Sequence, residues 1–173
     1  MSTYLVAAFM SPLLGAIVDK IGERRLFILF STLLFIFGHA VILLWPQCLD
    51  GTVQNGVMLG YILLGLGYCL YANCVVPSIA LVVHKDHTGT AFGLLLMIEN
   101  TALAIFPIIS GSLISNAESP EVGYRKSELF FVGMSCLCLL LCLGLTSISP
   151  HCKKKLDANK HELKIRRLIR KNI

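Results

Sequence analysis

Two apolar runs separated by one short polar turn decide the fold. Residues 26–44 read LFILFSTLLFIFGHAVILL, and residues 57–83 read VMLGYILLGLGYCLYANCVVPSIALVV. Between Leu26 and Val83 the one charged side chain is Asp50, which lies in the turn. A membrane-spanning helix needs about 20 mostly apolar residues, whereas a barrel strand alternates apolar and polar residues over about 10. Because the two runs are continuous and long, they predict transmembrane helices, whose backbone hydrogen bonds are satisfied internally in lipid.

The composition of the whole chain supports the same class of protein. Hydrophobic residues make up 55% of the 173 residues, mean hydropathy is +0.75 and 14% of residues are charged, against about 25% charged in an average globular protein. A soluble domain of this size could not keep so much apolar side chain away from water. A disordered chain would be far more polar. The composition therefore excludes both of these classes.

Three further apolar stretches complete the predicted membrane domain. We expect an all-α integral membrane protein with about five transmembrane helices in residues 1–150, followed by a basic cytosolic tail in residues 151–173. The first stretch is short and follows no basic segment, so we interpret it as a truncated or late-starting helix rather than a signal peptide. The predicted spans are residues 1–18, 26–44, 57–83, 90–114 and 129–148.

The basic residues predict the orientation of the chain. Of the 15 Lys and Arg residues, 13 fall in residues 19–25, in residues 84–88 and in the tail, and two fall between the fourth and fifth spans. Cytosolic loops carry the excess of positive charge. We therefore expect a cytosolic C-terminus and a luminal or external loop at residues 116–127. The cations of the tail suit anionic lipid headgroups better than nucleic acid, whether the tail is an interfacial helix or a solvated segment.

One charged turn carries a specific pattern. Residues 15–25 read GAIVDKIGERR, in which a helix ends, the chain reverses at a glycine and a basic pair begins the next helix. The carboxylate in this turn can accept hydrogen bonds from helix N-terminal amides or pair with an arginine. The candidate gating residues are Gly15, Asp19, Lys20, Gly22, Arg24 and Arg25.

This turn resembles the loop signature of the major facilitator superfamily. In that family the signature joins helices two and three, and a degenerate copy joins helices eight and nine of two six-helix halves built from inverted repeats. The resemblance implies that the five predicted helices correspond to helices eight to twelve. It also implies that the chain is incomplete and that the N-terminal half of the transporter is missing from it.

Five short segments further along resemble one family within that superfamily. They read LGLGYCL at 64–70, VP at 76–77, TGTAFG at 88–93, IEN at 98–100 and LAI at 103–105. They look like the family of major facilitator superfamily domain-containing protein 1, a lysosomal dipeptide uniporter. The resemblance implies a dipeptide substrate, a lysosomal membrane, a glycosylated luminal accessory subunit and a homodimer. The tail after Pro150 shows no such resemblance.

A carboxylate within the fourth span is the first candidate for substrate contact. Glu99 lies about nine residues into an apolar span, where a lipid-facing charge costs a few kcal/mol. It either binds a substrate amine or a proton in a cavity, or packs as a neutral acid against Asn100 or Asn73. These three residues are the substrate-pathway candidates. Pro77 and Pro107 predict helix kinks, which either shape a midplane cavity or only help packing. Asn73 is four residues before Pro77, so we expect its side chain to be able to join the backbone groups that this kink opens.

Other functional classes have less support in the sequence. No HExxH, nucleophile–base pair or facing pair of aspartates occurs, so an enzyme is not predicted. The seven cysteines lie mostly in apolar runs with no CxxC, and neither a metal nor a cofactor is predicted. We expect His39, inside an apolar span, to be a satisfied buried histidine. A transporter of another small organic solute and a non-transporting assembly module or fragment stay as alternatives.

Overall fold

The computed structural model of the chain describes residues 2–45 and 55–148, and these residues form a bundle of five α-helices. The predicted tail and most of the turn between the second and third spans lie outside the described residues. A single 3-10 turn, Lys85–His87, precedes the fourth helix. The helices are α1 Ser2–Ile21, α2 Arg24–Leu44, α3 Asn55–Val82, α4 Thr88–Ser115 and α5 Pro120–Ile148.

The expected fold class is confirmed. Within the described residues, α2 to α5 are long and apolar enough to cross a membrane, and α1 is a further helix of 20 residues. The second, third and fourth helices begin and end within two residues of the predicted spans. Continuous apolar runs of this length leave the backbone no partner in lipid except itself, which is why they form helices.

The fifth helix begins nine residues earlier than the predicted span, so the expected loop at residues 116–127 is partly helical. Pro120 occupies the first helical position, where its fixed φ angle suits a helix and its missing N–H costs nothing. The Val122 N–H donates to Ser119 Oγ at 3.4 Å, which caps the helix. Hydropathy locates the part of a helix that lies in hydrocarbon and does not detect this polar extension.

Glycines bring α2 and α3 into close contact. A Cβ added at Gly38 would lie 3.2 Å from the carbonyl oxygen of Gly60, and one added at Gly67 would lie 3.2 Å from that of Ser31. Small residues let membrane helices approach in this way. By contrast, Gly93 has no neighbouring atom within 4 Å of such a Cβ. Small-residue spacing therefore marks a packed interface in α3 but not in α4.

The fourth helix rests on the fifth and leaves most of its surface uncovered. Ser110 Oγ and Ser127 Oγ are 2.6 Å apart, and the rings of Phe106 and Phe130 are 5.9 Å apart. No residue of α4 is buried within the described chain. The buried apolar cluster lies instead between α1 and α3 and consists of Val18, Leu70 and Cys74.

Candidate functional site

A two-residue turn joins α1 to α2. Gly22 has φ 82° and Glu23 has φ 37°, so both lie in the left-handed region, which suits glycine and strains other residues. The Gly22 N–H donates to the Val18 carbonyl at 2.9 Å and closes α1, while the Leu26 N–H donates to the Glu23 carbonyl at 2.9 Å. The turn reverses the chain at the glycine that the sequence indicated. We call this end of the bundle the Gly22 end, and the opposite end, where α2 stops, the Trp45 end.

An ion pair crosses this turn. Arg24 Nη2 donates to Asp19 Oδ1 at 2.7 Å, and the exposed fractions of the two side chains are 8% and 48%. Arg24 Nε has no hydrogen-bond partner among the described residues. Because the guanidinium is nearly buried, the stabilisation of its charge depends on the Asp19 carboxylate, its one salt-bridge partner among the described residues. Of the two roles expected for Asp19, the structure thus selects pairing with an arginine.

The other members of the charged turn occupy different surroundings. Lys20 is exposed, and Arg25 is half-buried with a partner of its own. Gly15 lies one helical turn before Asp19, where a Cβ would sit 2.9 Å from Asn73 Oδ1 of α3. Gly15 is therefore small because α3 passes close to it.

The Asn73 side chain joins α1 to α3. Its amide nitrogen lies 3.0 Å from Ser11 Oγ and 2.9 Å from the Cys69 carbonyl oxygen, and donates to both. The sequence suggested instead that this side chain serves the backbone opened by Pro77. That region is served by Ser78, whose hydroxyl donates to the Cys74 carbonyl at 2.5 Å.

The carboxylate of Glu99 lies within electrostatic range of α3. It is half-buried on α4 and interacts electrostatically with Tyr71 of α3, which is also within range of Cys138 of α5. Asn100 is exposed, and its side-chain amide donates to the Leu96 carbonyl at 2.7 Å. Neither predicted amide partner therefore hydrogen-bonds to Glu99. Sequence analysis did not single out Tyr71, because a tyrosine in an apolar run gives no signal by itself.

The candidate residues thus lie in three places rather than in one site. The charged turn lies at the Gly22 end, Glu99 and Asn100 lie midway along α4, and Asn73 belongs to the contact between α1 and α3. Pro77 and Pro107 lie inside α3 and α4, which continue through them. Sequence analysis also missed a close contact between His39 Nδ1 and Glu128 Oε2, which lie 2.8 Å apart.

Comparison with known proteins agrees with the resemblance in the turn. The profile of the Major Facilitator Superfamily matches residues 1–172. The lysosomal dipeptide transporter MFSD1 of Mus musculus is 32% identical over 146 residues, which are 83% of this chain and 29% of that protein. The protein of the same name from Homo sapiens is 34% identical over 137 residues, 79% of this chain and 27% of that protein. The protein of that name from Danio rerio is 32% identical over 137 residues, which are 79% of this chain and 27% of that protein.

The chain spans less than a third of the length of these curated relatives. No solved structure matches it.

Proposed function

The chain belongs to the major facilitator superfamily, and on that premise we propose that it is the C-terminal part of a secondary transporter that moves dipeptides across a lysosomal membrane by alternating access. Family membership makes it a multi-pass membrane protein of the transporter class rather than an enzyme. The dipeptide and the lysosome come from the names of the relatives. The homodimer and the luminal subunit rest on resemblance alone and stay predictions.

The position of Glu99 carries the proposal. It is the twelfth residue of a 28-residue helix, so it lies about 17 Å along the helix axis, near the middle of a bilayer. An ionised carboxylate in that place costs about 3 kcal/mol or more if it faces lipid. A carboxylate at this depth is therefore expected to face a cavity or to contact a cation.

The hydrogen bonds around Glu99 favour the cavity over packing. A neutral packing acid needs a nearby partner, and the two amides that sequence analysis offered are engaged with Ser11 and with the Leu96 carbonyl. Among the described residues no group hydrogen-bonds to the Glu99 carboxylate. The carboxylate is therefore available to a cation from outside the chain, and the free ammonium group of a dipeptide is such a cation.

The charged turn suits the gate that alternating access requires. The pair of Asp19 and Arg24 links the last turn of α1 to the first residue of α2 at the Gly22 end, which the distribution of basic residues predicts to be cytosolic. An ion pair with one partially exposed member can break and re-form as helices move. Glu99 would then contact the substrate, and the turn would help to close the pathway behind it.

The test is uptake of a labelled dipeptide by the full-length protein in proteoliposomes, for wild type, Glu99→Gln and Glu99→Leu. Unlabelled dipeptide and its N-acetylated form compete in parallel, because acetylation removes the ammonium charge. We expect wild type to prefer the free amine by at least about tenfold, which corresponds to roughly 1.4 kcal/mol. Glu99→Gln should keep the fold and lose most of this preference, since it lacks the charge.

Glu118→Gln is the matched control, because Glu118 is an exposed carboxylate in the turn after α4. It should behave as wild type. Wild-type uptake and wild-type preference in Glu99→Gln at every pH would contradict the proposal and leave Glu99 as a packing residue. Glu99→Leu, which also lacks the charge, should lose the preference for the free amine as Glu99→Gln does.

A further inference from the structure

A second pair of ionisable side chains, besides Asp19 and Arg24, lies between α2 and α5. His39 Nδ1 of α2 and Glu128 Oε2 of α5 are 2.8 Å apart, although 89 positions separate them in the sequence. The exposed fractions of the two side chains are 17% and 18%. The His39 ring stacks on Phe131, with ring centroids 5.2 Å apart and an interplanar angle of 14°. The imidazole is thus held between a carboxylate and an aromatic face.

The pair lies near the Trp45 end. His39 is five residues before the last residue of α2, and Glu128 is eight residues after the first residue of α5. At 1.5 Å per residue, these positions are about 8 Å and 12 Å from the helix ends. The pair is therefore on the side of the membrane opposite to the charged turn, within reach of protons that enter from the Trp45 end.

The neighbouring helices α2, α3 and α4 contribute few other ionisable groups, and these groups lie away from the pair. Within α2, His39 is the one ionisable side chain after Arg25. On α3, Tyr61 follows Gly60, which packs against Gly38 and Ile42 of α2, and the Tyr61 side chain is exposed. On α4 the one ionisable residue is Glu99, eleven positions from the Ser110 that contacts Ser127.

The remaining ionisable groups belong to the helix of Glu128 itself. Tyr124 and Arg125 lie one turn before Glu128, with Lys126 beside them, and Glu121 lies two turns before it. All four are exposed at the Trp45 end. Cys136 and the cysteines after it lie two or more turns further into the bundle. The partner of the Glu128 carboxylate inside the bundle is therefore the imidazole of His39.

We propose that His39 and Glu128 form a proton-binding site, separate from the substrate site, and that a proton bound there tightens the contact between α2 and α5. Without the proton the pair buries one net negative charge in the membrane, which is unfavourable. With the proton it is an imidazolium and a carboxylate with no net charge, joined by a charge-assisted hydrogen bond.

The proposal gives a direction. Imidazole is the side chain whose charge ordinarily changes between pH 5 and pH 8. Acidification through that range should strengthen the contact between α2 and α5, and alkalinisation should weaken it. An acidic compartment on the Trp45 side would therefore hold these two helices together, and a neutral one would loosen them.

The test is the thermal unfolding midpoint of the purified full-length protein at pH 5.5, 6.5, 7.5 and 8.0, for wild type, His39→Gln, Glu128→Gln and the double variant. Wild type should gain at least about 2 °C relative to the double variant on going from pH 8.0 to pH 5.5. Glu128→Gln keeps a hydrogen-bond acceptor for the imidazole and removes the buried charge. It should be at least as stable as wild type at pH 8.0 and lack the gain at pH 5.5.

His87→Gln is the matched control, because His87 is an exposed histidine in the turn before α4. It should keep the wild-type dependence on pH. The proposal is overturned if His39→Gln or Glu128→Gln keeps the full gain, or if wild type shows none relative to the double variant. Should His39→Gln fail to fold, Glu128→Gln decides alone. The measurement involves no transport, so it can fail or succeed independently of the proposed function.

Discussion

Replacement of Asp19 by Asn tests whether the ion pair at the turn between α1 and α2 acts as a gate. In the structure Asp19 Oδ1 accepts a hydrogen bond of 2.7 Å from Arg24 Nη2. The substitution removes the negative charge and keeps a neutral oxygen that can still accept this bond. It therefore separates the effect of charge from the effect of shape.

The burial of the two side chains sets the size of the effect. Breaking a fully buried pair costs about 3–5 kcal/mol, whereas an exposed pair contributes about 0–1 kcal/mol. Here the arginine is 8% exposed and the carboxylate 48%, so solvent screens one partner and not the other. We expect a loss of about 1–3 kcal/mol in the conformation closed at the Gly22 end, which is a shift of about 5–150-fold in the conformational equilibrium.

The assay is uptake by the full-length protein, normalised to the amount at the membrane by blot. Asp19→Asn should lower uptake with little loss of protein, because the turn itself is closed by backbone bonds that the substitution does not touch. Glu23→Gln is the control for charge, since Glu23 is an exposed carboxylate in the same turn. The double variant Asp19→Asn, Arg24→Gln should recover part of the loss, because no cation is then left unpaired.

Two results would refute this reasoning. Unchanged uptake by Asp19→Asn at equal protein amount would show that the turn is only a connector. An equal loss in Glu23→Gln would show that the effect comes from the net charge of the loop and not from the pair.

Two further predictions concern packing and orientation. Gly15→Val should lower the unfolding midpoint, with about 1–3 kcal/mol of overpacking against Asn73, whereas Gly93→Val, which meets no atom within 4 Å at its Cβ, should not; equal midpoints would contradict the close contact of α1 and α3. A tag after Ile173 should be digested by protease added to sealed organelles, because positive charge is concentrated on that side; a shielded tag would reverse the orientation.

The helices and the charged turn could be predicted because their causes are local. Apolar runs of about 20 residues specify helices in lipid, and the reversal at Gly22 follows from the conformational freedom of glycine. For Asp19 the sequence left two partners open, since an amide and a guanidinium both satisfy a carboxylate. The choice depends on the angle between α1 and α2, which residue spacing does not contain.

The contacts between distant helices could not be predicted. His39 was expected to be satisfied, and it is, but its partner Glu128 lies 89 positions away and only the packing of α2 on α5 identifies it. The bond from Asn73 to Ser11 is similar, because the pattern of α3 alone places that amide equally well toward the Pro77 backbone. In both cases the sequence showed that a polar group needed a partner and did not show which helix supplied it.

The two carboxylates inside the bundle therefore have different roles open to them. Glu128 sits beside Ser127, which contacts Ser110 of α4. Glu99 lies eleven residues before Ser110 on that helix, or about 17 Å further toward the Gly22 end. Glu128 already has a hydrogen-bonding partner in the imidazole of His39, so a substrate ammonium would have to displace it. Glu99 has an electrostatic neighbour in Tyr71 but no cation among the described residues. A bound ammonium group thus adds the most favourable electrostatic interaction at Glu99, and a bound proton adds the most at the pair of His39 and Glu128.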